Sequence, residues 1–328
     1  PAIAALALEN VTGMSFENFV NREIFAPLGM NTASFFHVEG VSSSFNLDGS
    51  ASPYIHIPVR SSGSLNATSS DMAQLLKMYI GRGTLDGVAL IQPQSLTRME
   101  TSSSTLASTA GLQVGYGLSN YTTQKNGFVF HGHDGGIDAF ISRYAYLPEF
   151  QRGYFYSVNQ GNLAAFNRID EEIVGFITRD LTAPEAVTTI EQTEDDLISL
   201  TGFYEADSPR MEILAGIGRL GFSRVQYVDG GLQVNPLFGA ATDLLPVGNN
   251  QFKREAEVLA SYAFVTSPDN EELMQADSGT FKKISPVIAY GRLVALVYAI
   301  IILASSLLFT LVWGFQKIRG QRKQAIHA

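Results

Sequence analysis

Phe128-Val-Phe-His-Gly-His-Asp-Gly-Gly-Ile-Asp-Ala-Phe140 is the stretch that decides the fold, and Gly132-His133-Asp134-Gly135-Gly136 is its centre. Apolar residues lead into this centre, and a second β-rich run, Phe140–Leu147, follows it. Glycines within a strand mark a place where another group approaches the backbone closely. We therefore predict a strand edge that forms one wall of a cleft, where glycine amides can donate to a developing oxyanion.

The composition sets broad limits on what surrounds this edge. A chain of 328 residues is long enough for about two domains, each with its own core. The absence of cysteine excludes disulfides, thiolate chemistry and Cys-ligated zinc, and it leaves the compartment open. All 31 acidic side chains lie within residues 1–285, so the body of the protein is acidic. An acidic body has no phosphate-binding footprint, so we expect no nucleic-acid partner.

Helical patterns flank the edge on both sides in the sequence. Ser15 caps one predicted helix, and Thr68 with Asp71 forms a capping box at the start of another. Residues 31–67 between them are rich in Ser, Asn, Gly and Pro and predict a long loop over the cleft. The predicted helices are Pro1–Asn10, Phe16–Phe25, Met72–Ile80 and Leu163–Arg179, with Pro27–Met30 as a turn after the second.

The strands around the edge form a meander. Gly115–Leu118 predicts a short strand, and Asn126-Gly127 predicts a tight hairpin turn into the central strand. Phe140–Leu147 and Gly153–Val158 alternate as two further strands before the last helix. Strands in succession followed by a helix predict an α/β sandwich with an antiparallel sheet.

A second, all-β region follows a linker at 182–197. Short apolar runs at even spacing within residues 198–285, with a hairpin turn at Asp229-Gly230-Gly231, predict a small barrel or sandwich. Catalytic residue types do not cluster there, so packing or docking is its expected role. The apolar runs are Gly202–Tyr204, Met211–Ile217, Val225–Val228, Leu232–Val234, Leu244–Leu245 and Tyr262–Val265.

The character of the chain then changes at residues 286–316. Leu293–Phe315 has no charged residue and would be about 34 Å long as a helix, enough to cross the core of a bilayer. A buried core helix is the alternative. Basic residues are slightly more frequent after this segment than before it, which predicts a cytoplasmic tail at 317–328 and an extracytoplasmic body. They are Lys317, Arg319, Arg322 and Lys323 after the segment, and Lys282, Lys283 and Arg292 before it.

Five motifs in order carry a family resemblance. They are Val11–Phe16, Ile24–Met30, Gly63–Ala73, Gly115–Leu118 and Gly132–Gly136. Residues 1–181 resemble the C-terminal part of the catalytic domain in the serine β-lactamase-like, penicillin-binding-protein-like hydrolases, within the class C and carboxylesterase branch. The β region is similar to the lipocalin-like barrels that often follow such domains.

The resemblance assigns roles to residues at the edge. The family uses a Ser-x-x-Lys nucleophile, a Tyr-x-Asn second motif and a third motif, Lys-Thr-Gly or His-x-Gly. The third motif falls on His133-Asp134-Gly135, and the amide of Gly136 falls in the oxyanion hole. His133 and Gly136 are thus the expected catalytic groups. Asp134, Gly135 and Tyr116 are the expected substrate-binding residues, although Tyr116 fits a core position equally well.

The chain departs from the family pattern in two ways. None of its lysines has a serine three residues earlier, and none of its 13 tyrosines begins Tyr-x-Asn. Because Pro1 already lies in a predicted helix, we expect these motifs to lie upstream and the chain to be an inactive fragment by itself. Second, His133 and Asp134 replace Lys and Thr. A carboxylate there disfavours an anionic substrate group unless His133 is protonated, which favours ester or D-amino-acid amide substrates over penicillins.

Several alternatives stay open at this level. His133 could be a structural histidine at a turn. His131 and His133 form a His-x-His pair, but a third ligand at metal spacing is missing, so we predict no metal and no cofactor. His37 and His56, in the long loop, are interpreted as structural or solvent-facing.

Two functions are compatible with these patterns. The first is a membrane-anchored serine hydrolase with a small-molecule or peptide substrate and the lipid bilayer as partner. The second is a non-catalytic, penicillin-binding-like membrane protein that binds or senses a ligand.

Overall fold

A computed structural model describes residues 1–207, 221–276 and 279–326, with side chains up to residue 317. The backbone packs into two units. The first comprises Pro1–Ile190 and Val247–Ala263, and the second comprises Glu191–Pro246 and Phe264–Ala328. A segment from the middle of the predicted β region, Val247–Ala263, therefore belongs to the first unit.

The first unit begins with two helices. Helix α1, Ala2–Thr12, ends at Gly13, whose φ of 68° is in the left-handed region that glycine adopts without strain. Helix α2 is α-helical at Phe16–Val20, becomes π-helical at Asn21–Phe25 and ends at Ala26–Leu28. It is about one turn longer than predicted. The helix can include Pro27 because this residue lies in the first turn after the π-helical stretch, a position where proline, which has no N–H, is tolerated.

Four more helices complete the helical part of the first unit. Helix α3, Ser69–Ile80, has the predicted capping box: the amide of Asp71 donates to Thr68 Oγ1, and the amide of Thr68 donates to the Asp71 carboxylate. Helix α6 follows the last strand of this unit's sheet along the chain. The bounds of the other helices are Pro93–Glu100 for α4, Leu106–Thr109 for α5 and Leu163–Thr178 for α6.

Two short strand pairs and a four-stranded antiparallel sheet make up the strands of this unit. The pairs are β1 with β2, Ser44–Phe45 and Ala51–Ser52, and β3 with β4, Thr84–Leu85 and Val88–Ala89. The sheet has the order β5-β6-β7-β8, with bounds Tyr121–Lys125, Phe128–Ile137, Phe140–Leu147 and Arg152–Val158.

The turns of this sheet are set by local sequence. Asn126 and Gly127 have φ values of 51° and 77°, so the predicted hairpin turn between β5 and β6 is confirmed. The predicted strand at Gly115–Leu118 is wrong. Only Tyr116 forms a bridge, to Tyr121, because the chain turns back there and Gly117 N–H bonds Asn120 O.

The two faces of the sheet are covered by different helices. Tyr144 and Phe155 pack against the core that includes Met72 and Met78 of α3. Phe130, Ala145 and Tyr154, on the other face, pack with Val174 of α6. The predicted α/β sandwich with an antiparallel sheet is confirmed. The sheet lies between two layers of helices, and its strand β6 contains the residues of the predicted cleft wall.

The second unit contains helix α7, Glu194–Ser199, and strands of a closed eight-stranded barrel. The barrel or sandwich predicted from even spacing is thus a barrel, and Asp229 and Gly230, with φ of 47° and 81°, form the predicted hairpin turn. The strand predicted at Met211–Ile217 lies outside the described residues. In barrel order, β9 to β16 are Gly202–Ala206, Phe222–Val228, Gly231–Pro236, Thr242–Gly248, Gln251–Lys253, Tyr262–Thr266, Glu272–Ala276 and Gly279–Ile284.

The chain continues from the barrel into one long helix, α8, Pro286–Ile326. Its part from Pro286 to Lys317 is long and apolar enough to cross a membrane. The most apolar 18 residues of this part are not buried within the protein. The apolar segment predicted at 286–316 is therefore a continuous, uncovered helix over most of its length.

Candidate active site

Tyr116 and His133 form a hydrogen-bonded pair where strand β6 extends beyond its pairing with β5. The Tyr116 hydroxyl lies 2.7 Å from Nε2 of His133, and the two rings meet edge to face with centroids 5.8 Å apart. Nδ1 of the same imidazole lies 2.5 Å from the carbonyl oxygen of Asp134. Because a carbonyl can only accept, Nδ1 carries the proton, and Nε2 of the neutral ring accepts from the tyrosine hydroxyl.

The loop before β5 holds Tyr116 in place. The Ser104 hydroxyl donates to the Tyr116 carbonyl at 3.2 Å, and Tyr116 pairs with Tyr121 at the start of β5. A Cβ at Gly115 would lie 2.4 Å from Ser102 Oγ, so only glycine permits this approach. Burial raises the pKa of Tyr116. Its hydroxyl therefore keeps its proton at neutral pH and remains a hydrogen-bond donor.

The backbone beside Gly136 faces an open edge. Strand β5 starts at Tyr121, which pairs with Gly132, so the register leaves Gly136 beyond the end of β5. The amide of Gly132 donates to Asn120 Oδ1 on that side. Amides alternate sides along a strand, so the amide of Gly136, four residues later, points the same way. Because the β5–β6 pairing ends at Gly132, no residue of β5 lies opposite this amide, which leaves room for a substrate oxygen.

A buried hydrogen-bond chain supports β6 just before this edge. Asn120, fully buried, accepts from Gly132 N–H at 3.0 Å and donates to Tyr146 Oη at 2.9 Å. Tyr146 donates to Glu100 at 3.0 Å, and Arg82 pairs with the same carboxylate at 2.6 Å. This chain fixes the position of β6 through side chains rather than strand pairing alone. Sequence reasoning missed Asn120, which carries no motif that singles it out.

Asp134 lies on the opposite face of the strand from His133, because side chains alternate along a strand. Arg143, its cross-strand partner, donates to the two carboxylate oxygens at 2.6 and 2.8 Å. Tyr121 donates to Oδ1 at 2.5 Å. Burial raises the pKa of Asp134, but the bonds from Arg143 and Tyr121 outweigh burial and hold the pKa below its usual range.

The contacts of Asp134 change how its predicted role is understood. The sequence placed His133 and Asp134 side by side in one substrate site, whereas in the structure the imidazole bonds Tyr116 and the carboxylate bonds Arg143. The carboxylate already has a bidentate guanidinium partner, so its charge is compensated locally. Substrate binding by Asp134 and Gly135 stays a prediction.

The Asp134–Arg143 pair continues into helix α6. Arg143 also pairs with Asp170 at 2.9 Å, and Lys125 forms a second ion pair with that carboxylate. Tyr154 donates to Asp170 Oδ1 at 2.6 Å. Burial raises the pKa of Asp170, and the bonds from Lys125, Tyr154 and Arg143 together hold it below its usual range. Sequence reasoning missed Arg143, although a two-residue turn at Asp138-Ala139 implies its pairing with Asp134.

The other histidines lie in separate surroundings. The ring of His131 packs against Tyr146, and burial lowers its pKa. His37 and His56 both meet Tyr54, with ring centroids 4.6 and 4.9 Å away, in a pocket of about 420 Å³ that also includes Arg60. Within the described residues, no group of three or more His, Cys, Asp or Glu side chains could hold a metal ion.

The chain is similar to several solved structures, including the three that follow. The octameric penicillin-binding protein homologue from Pyrococcus abyssi is 20% identical over 85% of this chain and 62% of that chain, with a TM-score of 0.45. SurE with D-Leu is 14% identical over 86% and 66%, with a TM-score of 0.48. The D-stereospecific amidohydrolase from Streptomyces sp. is 18% identical over 52% and 52%, with a TM-score of 0.42.

This chain spans less than two thirds of the length of each of these proteins. No curated protein matches it significantly. The beta-lactamase family model matches residues 2–177, which is more than half of the 328 residues and includes the whole four-stranded sheet. On this match, the chain belongs to the beta-lactamase family.

Proposed function

We propose that residues 1–181 form the third-motif wall of a membrane-anchored serine hydrolase that works through an acyl-enzyme. The observation that carries this proposal is that strand β6 combines an edge left unpaired by β5 at Gly136 with a hydrogen-bonded His133. Acyl transfer needs a donor aimed at the developing oxyanion, and a backbone amide at an uncovered strand edge supplies one.

The nucleophile in this proposal comes from outside the 328 residues. Because no lysine of the chain is preceded at the third position by serine, the chain supplies no Ser-x-x-Lys. We therefore propose that the chain alone does not turn over substrate. In the complete site, the serine hydroxyl would attack the substrate carbonyl, and the amide of Gly136 would donate to the oxygen that becomes negative. Loss of one such donor costs about 10²–10³ in kcat in serine hydrolases.

The Tyr116–His133 pair would act beside the acyl group. One hydrogen bond joins Nε2 of His133 to the Tyr116 hydroxyl, and both side chains are partly exposed. A hydroxyl and an imidazole in contact can accept and return a proton as the substrate changes charge. We propose that this pair orients the substrate and supports proton transfer to the leaving group.

An ester or a D-amino-acid amide is the proposed substrate class. Both ring nitrogens of His133 are already hydrogen-bonded within the protein, to Tyr116 and to the Asp134 carbonyl, whereas a third-motif lysine would offer a free ammonium to a carboxylate. The guanidinium of Arg143, on the neighbouring strand β7, is already bonded to Asp134 and Asp170. Both observations favour a substrate without an anionic group at the third motif over a penicillin.

Helix α8 is the proposed anchor. It would cross the bilayer once within the 328 residues, with the basic tail at 317–328 in the cytoplasm and the acidic body outside. A second candidate, a non-catalytic ligand-binding or sensory membrane protein of the same fold, is favoured by the lack of Ser-x-x-Lys in these residues.

The upstream sequence and one labelling experiment test these proposals together. The gene should encode a Ser-x-x-Lys followed by a Tyr-x-Asn immediately before residue 1. A fluorophosphonate probe should label the complete protein and should fail to label a variant with that serine changed to alanine. The variant Gly136→Pro, which removes the amide hydrogen, should label much more slowly than Gly136→Ala, which keeps it.

Two outcomes would contradict the hydrolase. Labelling of residues 1–328 alone would place the nucleophile within this chain. An upstream segment with a replaced serine or lysine, in a protein that still folds and binds an ester or a D-amino-acid amide reversibly, would establish the non-catalytic function instead.

A further inference from the structure

The first two turns of α8 pack on the outer surface of the barrel. Ala289 is fully buried and contacts a core formed with Phe203 and Phe222. The ring of Tyr290 meets Phe203 edge to face, with centroids 5.3 Å apart. Tyr204, between Phe203 and Glu205, is buried on the other side of the strand with Phe264. Because side chains alternate, Phe203 and Glu205 face outward, toward the helix.

An ion pair fixes the helix in this position. Arg292 pairs with Glu205, whose side chain is only 13% exposed. Glu205 is the cross-strand partner of Phe222, which belongs to the same outer core as Ala289. The helix therefore contacts β9 and β10 through apolar packing and through one partly buried charge pair, which together prevent it from sliding along the barrel.

The contacts also give the direction of the helix. Tyr290 lies at Phe203, Arg292 lies two residues further along β9 at Glu205, and Leu293 joins the cluster that includes Leu237. Leu237 directly follows the last residue of β11. The helix thus leaves the barrel at the end where β11 finishes. Beyond this point most of its side chains are exposed, with Val294 69% and Tyr298 65% exposed.

One exposed aromatic side chain lies at that same end of the barrel. Phe238, in the connection between β11 and β12, is 79% exposed, although its neighbour Leu237 is packed in the helix-facing cluster. The opposite end of β10 and β11 is the hairpin at Asp229-Gly230. A strand of about six residues separates the two ends by about 20 Å.

We propose that Phe238 inserts into the lipid interface beside the point where α8 enters the bilayer. The proposal rests on the membrane anchor proposed above. The lipid bilayer is the expected partner, because the exposed ring lies next to the start of a helix whose uncovered apolar surface continues from Val294 to Phe315. Phenylalanine occurs with tryptophan and leucine on surfaces that lie in the membrane interface, and an exposed apolar tip next to a span would remain in contact with lipid.

The docking of α8 makes this contact specific. A flexible tether would let the barrel drift away from the membrane, whereas Ala289 and Arg292 hold the barrel to the base of the span. The end that carries Phe238 therefore faces the bilayer, and the end that carries Val228 faces away. The barrel would serve as a rigid spacer on the membrane surface, which the sequence alone did not indicate.

Tryptophan quenching in vesicles tests this contact. The chain has one tryptophan, Trp313, which reports on the span itself. In a Trp313→Phe background, the full chain would carry either Phe238→Trp or the matched control Val228→Trp, and each protein would be reconstituted into phosphatidylcholine vesicles. Lipids brominated near the headgroup or near the chain ends would serve as quenchers, and near-UV circular dichroism would show whether each variant folds.

We expect Phe238→Trp to be quenched at least twofold by shallow bromines and less by deep ones, and Val228→Trp to emit as a water-exposed residue unaffected by either. Quenching of native Trp313 without quenching of Phe238→Trp would overturn the interface contact and leave the anchor intact. Equal quenching of Phe238→Trp and Val228→Trp would overturn it as well. If neither Trp313 nor Phe238→Trp were quenched, both the anchor and the contact would be wrong.

Discussion

The Tyr116 hydroxyl donates to Nε2 of His133 across 2.7 Å, from a loop before β5 to the face of β6. The bond selects the tautomer in which Nδ1 donates to the Asp134 carbonyl. Two residues 17 positions apart thus fix the orientation and the protonated nitrogen of the imidazole at the third motif.

Replacing Tyr116 with phenylalanine should remove the hydrogen bond at Nε2 while leaving the Nδ1–H bond in place. We expect the free energy of unfolding to fall by about 1 kcal/mol. The ¹⁵N resonance of His133 Nε2 should move toward the value of a free, unprotonated imidazole nitrogen. Tyr121→Phe is the matched control, because its ring also lies 5.8 Å from His133 but its hydroxyl bonds Asp134. An unchanged Nε2 resonance in Tyr116→Phe would show that the bond does not form in solution.

Replacing Arg143 with alanine should destabilise the first unit by about 3 kcal/mol, because it leaves the buried Asp170 with one cation fewer and Asp134 without its bidentate partner. Chemical denaturation of the full chain, monitored by far-UV circular dichroism, measures this loss. Arg152→Ala is the control: Arg152, on the neighbouring strand β8, pairs with the exposed Asp180 in the turn after α6. Its effect should be much smaller, since exposed pairs contribute little. Equal losses would contradict a structural role for the Arg143 network.

The same network predicts a stability that depends on pH. The pKa values of Asp134 and Asp170 lie below their usual range in the folded protein, so the unfolded chain binds protons first as the pH falls. The stabilisation is therefore present above the unfolded value of about 3.9 and is lost as the pH falls through the lower folded values. Urea midpoints between pH 5 and pH 2 should decline less steeply for Asp170→Asn than for the native chain. Parallel declines would rule out this carboxylate as the source.

Alanine substitutions at two glycines of β6 should differ in their effect on stability. A Cβ at Gly132 would lie 2.2 Å from the Tyr144 carbonyl oxygen, so Gly132→Ala should cost about 2 kcal/mol or more. Gly136→Ala should be nearly neutral, because no atom lies within 4 Å of the added methyl. Thermal unfolding of the two variants compares them directly. A large loss in Gly136→Ala would mean that the face of β6 at Gly136 is covered rather than open.

The sequence by itself determined the long helices, the central strands of the sheet and their order, although it wrongly predicted a strand at Gly115–Leu118. The alternation of apolar residues from Phe128 to Val158, with Asn126-Gly127 as a turn, was enough to predict the antiparallel sheet, because the period of two and the turn chemistry are local properties. The capping box at Thr68 fixed the start of α3 for the same reason, and the charge-free run near 293–315 predicted a long apolar helix.

The tertiary structure alone decided which side chains meet. Nothing local brings Tyr116 to His133, Arg143 to Asp170 or Ala289 to Phe203, since each pair depends on register and on the packing of separate elements. The sequence also placed His133 and Asp134 together as neighbours, whereas the pleat of the strand sends them to opposite faces. Contacts between distant residues follow from the whole fold, because burial and charge pairing are satisfied only once the layers have assembled.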